Sequence, residues 1–132
     1  MTSPRIVTAP ELARPVGYAH AVVAEGRTVH LGGQTAMDPH GTIVGATLVE
    51  QFDLAAANLL AALRAAGGQA EDLVSLQIFV TDVPAYRASL RELGAVYRRH
   101  FGRHFPAMGL FGVTALFDEA ALVELMGVAV LS

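Results

Sequence analysis

The chain has 132 residues, of which 53% are hydrophobic and 16% charged, and its formal net charge at pH 7 is −3. This length suits a single domain, residues 1–132. The 9 Lys and Arg residues are outnumbered by 12 Asp and Glu residues, which argues against nucleic-acid binding because such proteins normally carry a basic face. No segment approaches the roughly 18–20 apolar residues of a spanning helix, so we expect no membrane insertion. The chain has no cysteine, which excludes disulfide and thiolate chemistry.

The N-terminal residues 1–5 lack the apolar run of a signal peptide, so we expect a cytoplasmic protein. The mean hydropathy of +0.45 is high for a soluble monomer of this size. Because large exposed apolar patches are rare on monomers, this composition predicts that part of the surface is buried between subunits.

The N-terminal third reads as short strands. Residues 6–8 predict an edge strand. Residues 20–24 and 27–31 flank Glu25-Gly26, and two apolar runs around a Gly-containing two-residue turn predict a β-hairpin. On that hairpin His20 either faces His30 or lines a cleft beside Tyr18. Residues 32–41, rich in Gly, Pro and Asp, predict a loop.

The rest of the chain alternates helices and strands. Thr47 and Glu50 form a capping box, and apolar residues at helical spacing predict a helix that ends at Gly67-Gly68. A strand over 73–81 follows. A second helix is predicted to begin after Asp82, with Pro84 in its first turn, and to end at Gly102. Strands over 108–114 and 122–131 complete the chain.

These elements predict an α+β fold, a mixed sheet of about six strands with two helices packed on one face. In the last strand, residues 124, 126, 128 and 130 point to one face and residues 125, 127, 129 and 131 to the other. Both rows are largely apolar. Helices can cover only one of them, so we expect symmetric copies of the chain to cover the other.

Two C-terminal segments, residues 105–109 and 122–129, resemble the paired C-terminal strands of the Rid family, also called YjgF. Residues 15–21, which contain Tyr18, and residues 31–34, which contain Gly33 and Gln34, are similar to further family segments. The resemblance implies a homotrimer that binds a small molecule in a cleft between subunits and hydrolyses imines or enamines. It implies no cofactor.

The chain departs from the family pattern at two positions. Met108 stands where the resemblance places the Arg that grips the substrate carboxylate, and Met126 where it places the Glu that activates water. Without the planar guanidinium of that Arg, position 108 cannot form a bidentate pair with a substrate carboxylate. Losing a general base costs roughly 10²–10⁴-fold in rate. We therefore expect either a deaminase-type hydrolase with an altered substrate or a non-catalytic trimer that binds a neutral or apolar metabolite. A chaperone-like interaction protein is a third possibility.

The resemblance nominates Tyr18 and Glu124 as catalytic candidates. It nominates Tyr18, Gly33, Gln34, Met108 and Met126 as ligand-binding residues. Each also has a structural interpretation: core packing for the methionines, a turn for Gln34, and an exposed or ion-paired side chain for Glu124. Arg14 and Arg103 are alternative candidates for binding a substrate anion in place of the Arg that is missing at position 108. His100 and His104 have i, i+4 spacing, but Gly102 interrupts the predicted helix between them, so we expect no metal site.

Overall fold

A computed structural model describes residues 4–132. It contains six strands and three α-helices, with a 3₁₀ turn at Ala70–Asp72 before the fourth strand. The strands are β1 (Arg5–Val7), β2 (Ala21–Val23), β3 (Arg27–Gln34), β4 (Leu73–Val80), β5 (Ala107–Gly112) and β6 (Val123–Leu131). The helices are α1 (Leu48–Ala65), α2 (Val83–Ala88) and α3 (Leu90–Phe101). The predicted α+β fold is confirmed. No helix within residues 4–132 has the length and apolar character needed to cross a membrane.

Four strands form the main sheet in the order β3-β6-β4-β5. β6 is antiparallel to both of its neighbours, and β4 and β5 run parallel, so the predicted mixed sheet is present. The alternating burial of β4 and β6 shows that one face of this sheet carries the core. The helices pack on that face, which we call the helix face.

The predicted hairpin of β2 with β3 does not form. β2 pairs instead with β1 as a separate two-stranded ribbon, and β3 pairs with β6. The ribbon is attached beside β5, where Ala19 makes a parallel bridge to Ala107 and donates its N–H to the carbonyl of Pro106 at 3.0 Å. Gly26 lies between β2 and β3 and therefore connects the two sheets. Its φ is +142°, and its backbone lies against the carbonyl of Leu131. His20 and His30 therefore do not face each other.

The first helix begins where the capping box predicts. The hydroxyl of Thr47 accepts the N–H of Glu50 at 3.2 Å, and the Glu50 carboxylate accepts the N–H of Thr47 at 3.1 Å. These contacts satisfy two backbone donors that the first turn would otherwise leave free. α1 buries one apolar side on the sheet, with Phe52, Leu59 and Leu63 nearly inaccessible.

The predicted second helix is two helices. Asp82 caps α2 by accepting the N–H of Ala85 at 3.0 Å, and Ser89, with φ −110° and ψ 16°, separates α2 from α3. Leu93 and Tyr97 of α3 are buried, whereas Leu90, at the start of α3, is 56% exposed.

The face of the sheet opposite the helices is apolar and open in the single chain. Phe79 stacks on Phe111 with ring centroids 5.6 Å apart, and Phe111 and Met126 remain 48% and 40% exposed. The apolar second row predicted for β6 is therefore present. We call this surface the open face.

Buried Gln51 connects α1 to the loop that leads into β6. Its side-chain amide donates to the carbonyls of Gly45 at 3.1 Å and Ala120 at 2.9 Å, and its side-chain oxygen accepts the N–H of Leu122 at 2.8 Å. Gln51 is only 2% exposed, so these bonds replace those that water would otherwise supply. The interaction fixes Leu122, which directly precedes β6 and lies two residues before Glu124.

Candidate functional site

A cavity of about 330 Å³ lies between the helix face of β5, the helices α2 and α3, and the segment 16–18. Tyr18 and Met108, both predicted ligand-binding residues, line it together. Met108 points there because it pairs with Leu76, whose side chain is fully buried on the helix face. The volume falls at the lower end of the range for small-molecule sites, about 300–1,000 Å³.

A second, more open cavity of about 410 Å³ adjoins the first, and Tyr18 and Met108 line both. His20 is also in its wall, so this histidine does lie beside Tyr18, with ring centroids 6.1 Å apart. Its Nδ1 accepts the N–H of Ala9 at 3.0 Å and its Nε2 contacts the carbonyl of Ala13 at 2.9 Å. Both ring nitrogens thus hold the loop that carries Tyr18.

All three tyrosines of the chain line the first cavity. The Tyr97 hydroxyl donates to the carbonyl of His104 at 2.6 Å, and its ring stacks on Phe105 with centroids 5.1 Å apart. Burial raises the pKa of Tyr97, and the neighbouring Tyr86 raises it further. Burial also raises the pKa of Tyr86. Both phenols are therefore neutral at pH 7 and can donate hydrogen bonds.

Arg98 is the one charged residue in the cavity wall among those described, and the sequence did not single it out. Its guanidinium folds back along α3, so that a β-carbon on Gly94 would lie 3.5 Å from one terminal nitrogen. Neither Arg14 nor Arg103, the alternatives suggested for an anion grip, lines either cavity. The i, i+4 spacing of Gly94 and Arg98 puts both residues on one side of a helix, but no local signal in the sequence shows that this side faces a cavity.

Gly33 and Glu124 meet on the open face, and Met126 lies on the same face of β6 as Glu124. The Glu124 carboxylate lies directly against Gly33, where a β-carbon would be 2.8 Å from Cδ of Glu124. Glu124 is half-buried and forms no ion pair within residues 4–132. β3 has an irregular register between Leu31 and Gln34, which brings this glycine opposite the acidic side chain.

The predicted site residues therefore form two groups in one chain. Tyr18 and Met108 lie on the helix-face side, whereas Gly33, Glu124 and Met126 lie on the open face, because Met126 pairs with Gln77 and Gln77 alternates with buried Leu76. Gln34 pairs with buried Leu125, which directs it away from the second group. Met108 and Met126 therefore lie on opposite faces of the sheet, with β4 between their strands.

The two histidines near the end of α3 have structural partners. His100 contacts Asp53 through Nε2 at 2.5 Å, and Arg99 pairs with the same carboxylate at 2.9 Å. The Nε2 of His104 contacts the carbonyl of Leu73 at 2.7 Å. Within residues 4–132 no three His, Cys, Asp or Glu side chains are grouped as a metal ion would require.

Comparison with known proteins places this geometry in context. Residues 8–131 match the family model described as Endoribonuclease L-PSP. The goat and human proteins named 2-iminobutanoate/2-iminopropanoate deaminase are 30% and 27% identical over 128 residues, which cover 96% of this chain and 89% of each relative.

Solved structures agree. YyfB of Yersinia pestis, described as a protein of unknown function of the Rid family, is 31% identical with a TM-score of 0.87, covering 98% of this chain and all of the other. A Mycobacterium tuberculosis member of the YjgF family is 29% identical with a TM-score of 0.66 at the same coverage. The match extends along nearly the whole chain in sequence and in fold, and the chain belongs to the Endoribonuclease L-PSP family, the group also called Rid or YjgF.

Proposed function

We propose that the protein is a Rid-type hydrolase that converts a small imine or enamine to a carbonyl compound and ammonia, and that its substrate differs from 2-iminopropionate. The observation that supports this most is the full-length similarity to relatives named 2-iminobutanoate/2-iminopropanoate deaminase, combined with methionine at both positions where the family pattern has ionic groups. Truncating one partner of a buried charge pair costs about 2–5 kcal/mol in binding, so a substrate held only through the absent Arg would bind weakly.

Glu124 is the group we assign to water activation. Water attacks the carbon of the C=N bond and gives a proton to the Glu124 carboxylate while the bond's electron pair moves to nitrogen, which then takes that proton from the carboxylic acid to give a neutral carbinolamine. The carbinolamine hydroxyl next gives its proton to Glu124, which passes it to the nitrogen, and the C–N bond breaks to release ammonia and the carbonyl compound. Glu124 has no competing ion pair among the described residues, and Gly33 beside it has no side chain to exclude water or substrate. We assign Tyr18 to contact the substrate.

Because the two groups of candidate residues lie on opposite sides of the sheet, we propose that each site is completed by a neighbouring chain in a homotrimer. The exposed Phe111 and Met126 on the open face supply apolar surface for that contact. Light scattering should give a mass about three times the 13.9 kDa of the chain. A monomer at micromolar concentration would contradict the assembly.

The test of activity is ammonia release from freshly generated substrates. They are the imine 2-iminopropionate, the enamine 2-aminoacrylate and the larger imine derived from leucine. We expect acceleration with the larger substrate, and a loss of about 10²-fold or more in Glu124→Gln. Glu119→Gln, at an exposed position, is the matched control. The goat protein named 2-iminobutanoate/2-iminopropanoate deaminase verifies that the 2-iminopropionate preparation is competent.

The second candidate is a non-catalytic trimer that binds an apolar metabolite, which the apolar wall around Met108 favours. Absence of acceleration with every imine, while the goat protein is active, would reject the hydrolase and leave this binding role.

A further inference from the structure

The first cavity has a polarity that neither the sequence nor the family pattern indicates. Its wall is mainly apolar and aromatic, and five aromatic rings contribute: Tyr18, Phe52, Tyr86, Tyr97 and Phe105. Such rings bury a large apolar area and favour offset or edge contacts with another ring. A flat or bulky apolar group is therefore the ligand body that fits this wall best.

One positive charge stands in that wall. The Arg98 guanidinium lies over Gly94 on the same helix, and Arg98 takes part in no ion pair within residues 4–132. Its neighbour Arg99, in contrast, is paired with Asp53. A planar guanidinium without a partner offers two parallel N–H groups that match a carboxylate.

A neutral donor accompanies the charge. No hydrogen bond within the described residues uses the Tyr86 hydroxyl, and no polar side-chain atom there is buried without a partner, so this hydroxyl keeps accessible surface on a residue that lines the cavity. Tyr97 differs, because its hydroxyl is already bonded to the carbonyl of His104. Tyr86, like Tyr18, is thus a lining phenol whose hydroxyl has no hydrogen-bond partner among the described residues.

We propose that this cavity binds a small carboxylate with an aromatic or bulky apolar body, the carboxylate pairing with Arg98 and accepting a hydrogen bond from Tyr86. The inference rests on the proposed function, because it names the substrate class of the same site. It implies that anion recognition has moved from β5, where Met108 stands, to α3, and that the cavity between them selects a ligand larger than 2-iminopropionate.

The test is equilibrium binding with a matched pair of probes, phenylacetate and its uncharged amide phenylacetamide. Because the chain has no tryptophan and all three tyrosines line the cavity, its intrinsic fluorescence reports on this cavity directly. We expect phenylacetate to bind about fivefold more tightly than the amide, the size of an exposed ion pair. Arg98→Gln should abolish that preference, Arg98→Lys should keep part of it, and Arg91→Gln, an exposed cation of the same helix outside the wall, should leave it unchanged.

Equal affinity for the two probes, no saturable change with either, or an equal effect of Arg91→Gln and Arg98→Gln would overturn the proposal. The assay contains no imine, so it separates this inference from the proposed function. Preference for phenylacetate without imine turnover would reject the hydrolase alone. Turnover without that preference would reject the role of Arg98 alone.

Discussion

Two adjacent glycines provide a sharp test of the position assigned to Glu124. A β-carbon on Gly33 would meet Cδ of Glu124 at 2.8 Å and Cγ at 3.2 Å, whereas one on Gly32 meets no atom within 4 Å. Neither glycine has positive φ, so alanine suits both backbones. To restore ordinary contact, taken as 3.4 Å, Cδ must shift by roughly 0.6 Å and the carboxylate must swing away.

Stability and activity should respond differently to this pair of substitutions. The carboxylate is the far end of a flexible side chain, so both variants should unfold within about 1 kcal/mol of the parent, as alanine for glycine gains about 0.4–1 kcal/mol at compatible positions. Misplacing a catalytic group by about 1 Å can cost 10²-fold. We therefore expect kcat for the preferred imine to fall about 10- to 100-fold in Gly33→Ala with KM little changed, and to stay near the parent value in Gly32→Ala. Full turnover by Gly33→Ala would refute the assignment of Glu124.

Three further changes test the packing and the assembly. Gln51→Leu should lower the free energy of unfolding by about 2–4 kcal/mol in urea titrations, because backbone groups of Leu122, Gly45 and Ala120 lose their hydrogen-bond partner. The control is Gln77→Leu at a half-buried position, and an equal loss of stability in the two variants would contradict the role of Gln51. The stability of the parent should fall as pH rises above 10, because tyrosines of the unfolded chain ionise there while Tyr97 stays protonated in the fold. In thermal melts, the melting temperature of Tyr97→Phe should fall less steeply with pH, and equal pH dependence of the two proteins would contradict the raised pKa of Tyr97. Mixed oligomers of Met108→Arg and Met126→Glu, formed by refolding the two chains together, should hydrolyse 2-iminopropionate faster than either variant alone, whereas no gain would argue against sites shared between chains.

Local signals in the sequence predicted much of the fold. The capping box of Thr47 and Glu50 lies within one turn, so its geometry follows from spacing alone. The two apolar rows of β6 follow from the period of two in a strand. The hairpin prediction was wrong because pairing is decided at long range. The bridge between Ala19 and Ala107 joins distant parts of the chain, and no pattern around Glu25-Gly26 encodes it.

The site was harder to predict than the fold. The resemblance nominated Tyr18 and Met108, which do share a cavity, but it could not show that Met126 lies on the other side of the sheet, because that depends on the register in which β5 and β6 pair with β4. The sequence did not single out Arg98, which lines the cavity. Its position in the cavity wall depends on where α3 lies relative to β5 across the cavity, which helical spacing does not reveal. The catalytic and ligand-binding roles themselves stay predictions.

The central claim is that a Rid-type site remains in this chain but has exchanged two ionic groups for methionine at 108 and 126. The most direct measurement is ammonia release from 2-iminopropionate by the double variant Met108→Arg, Met126→Glu, beside the parent chain. The account predicts that the parent barely accelerates the reaction and that the double variant gains at least about 10²-fold, the lower range for restoring a general base. A folded, oligomeric double variant that is no faster than the parent would contradict the account.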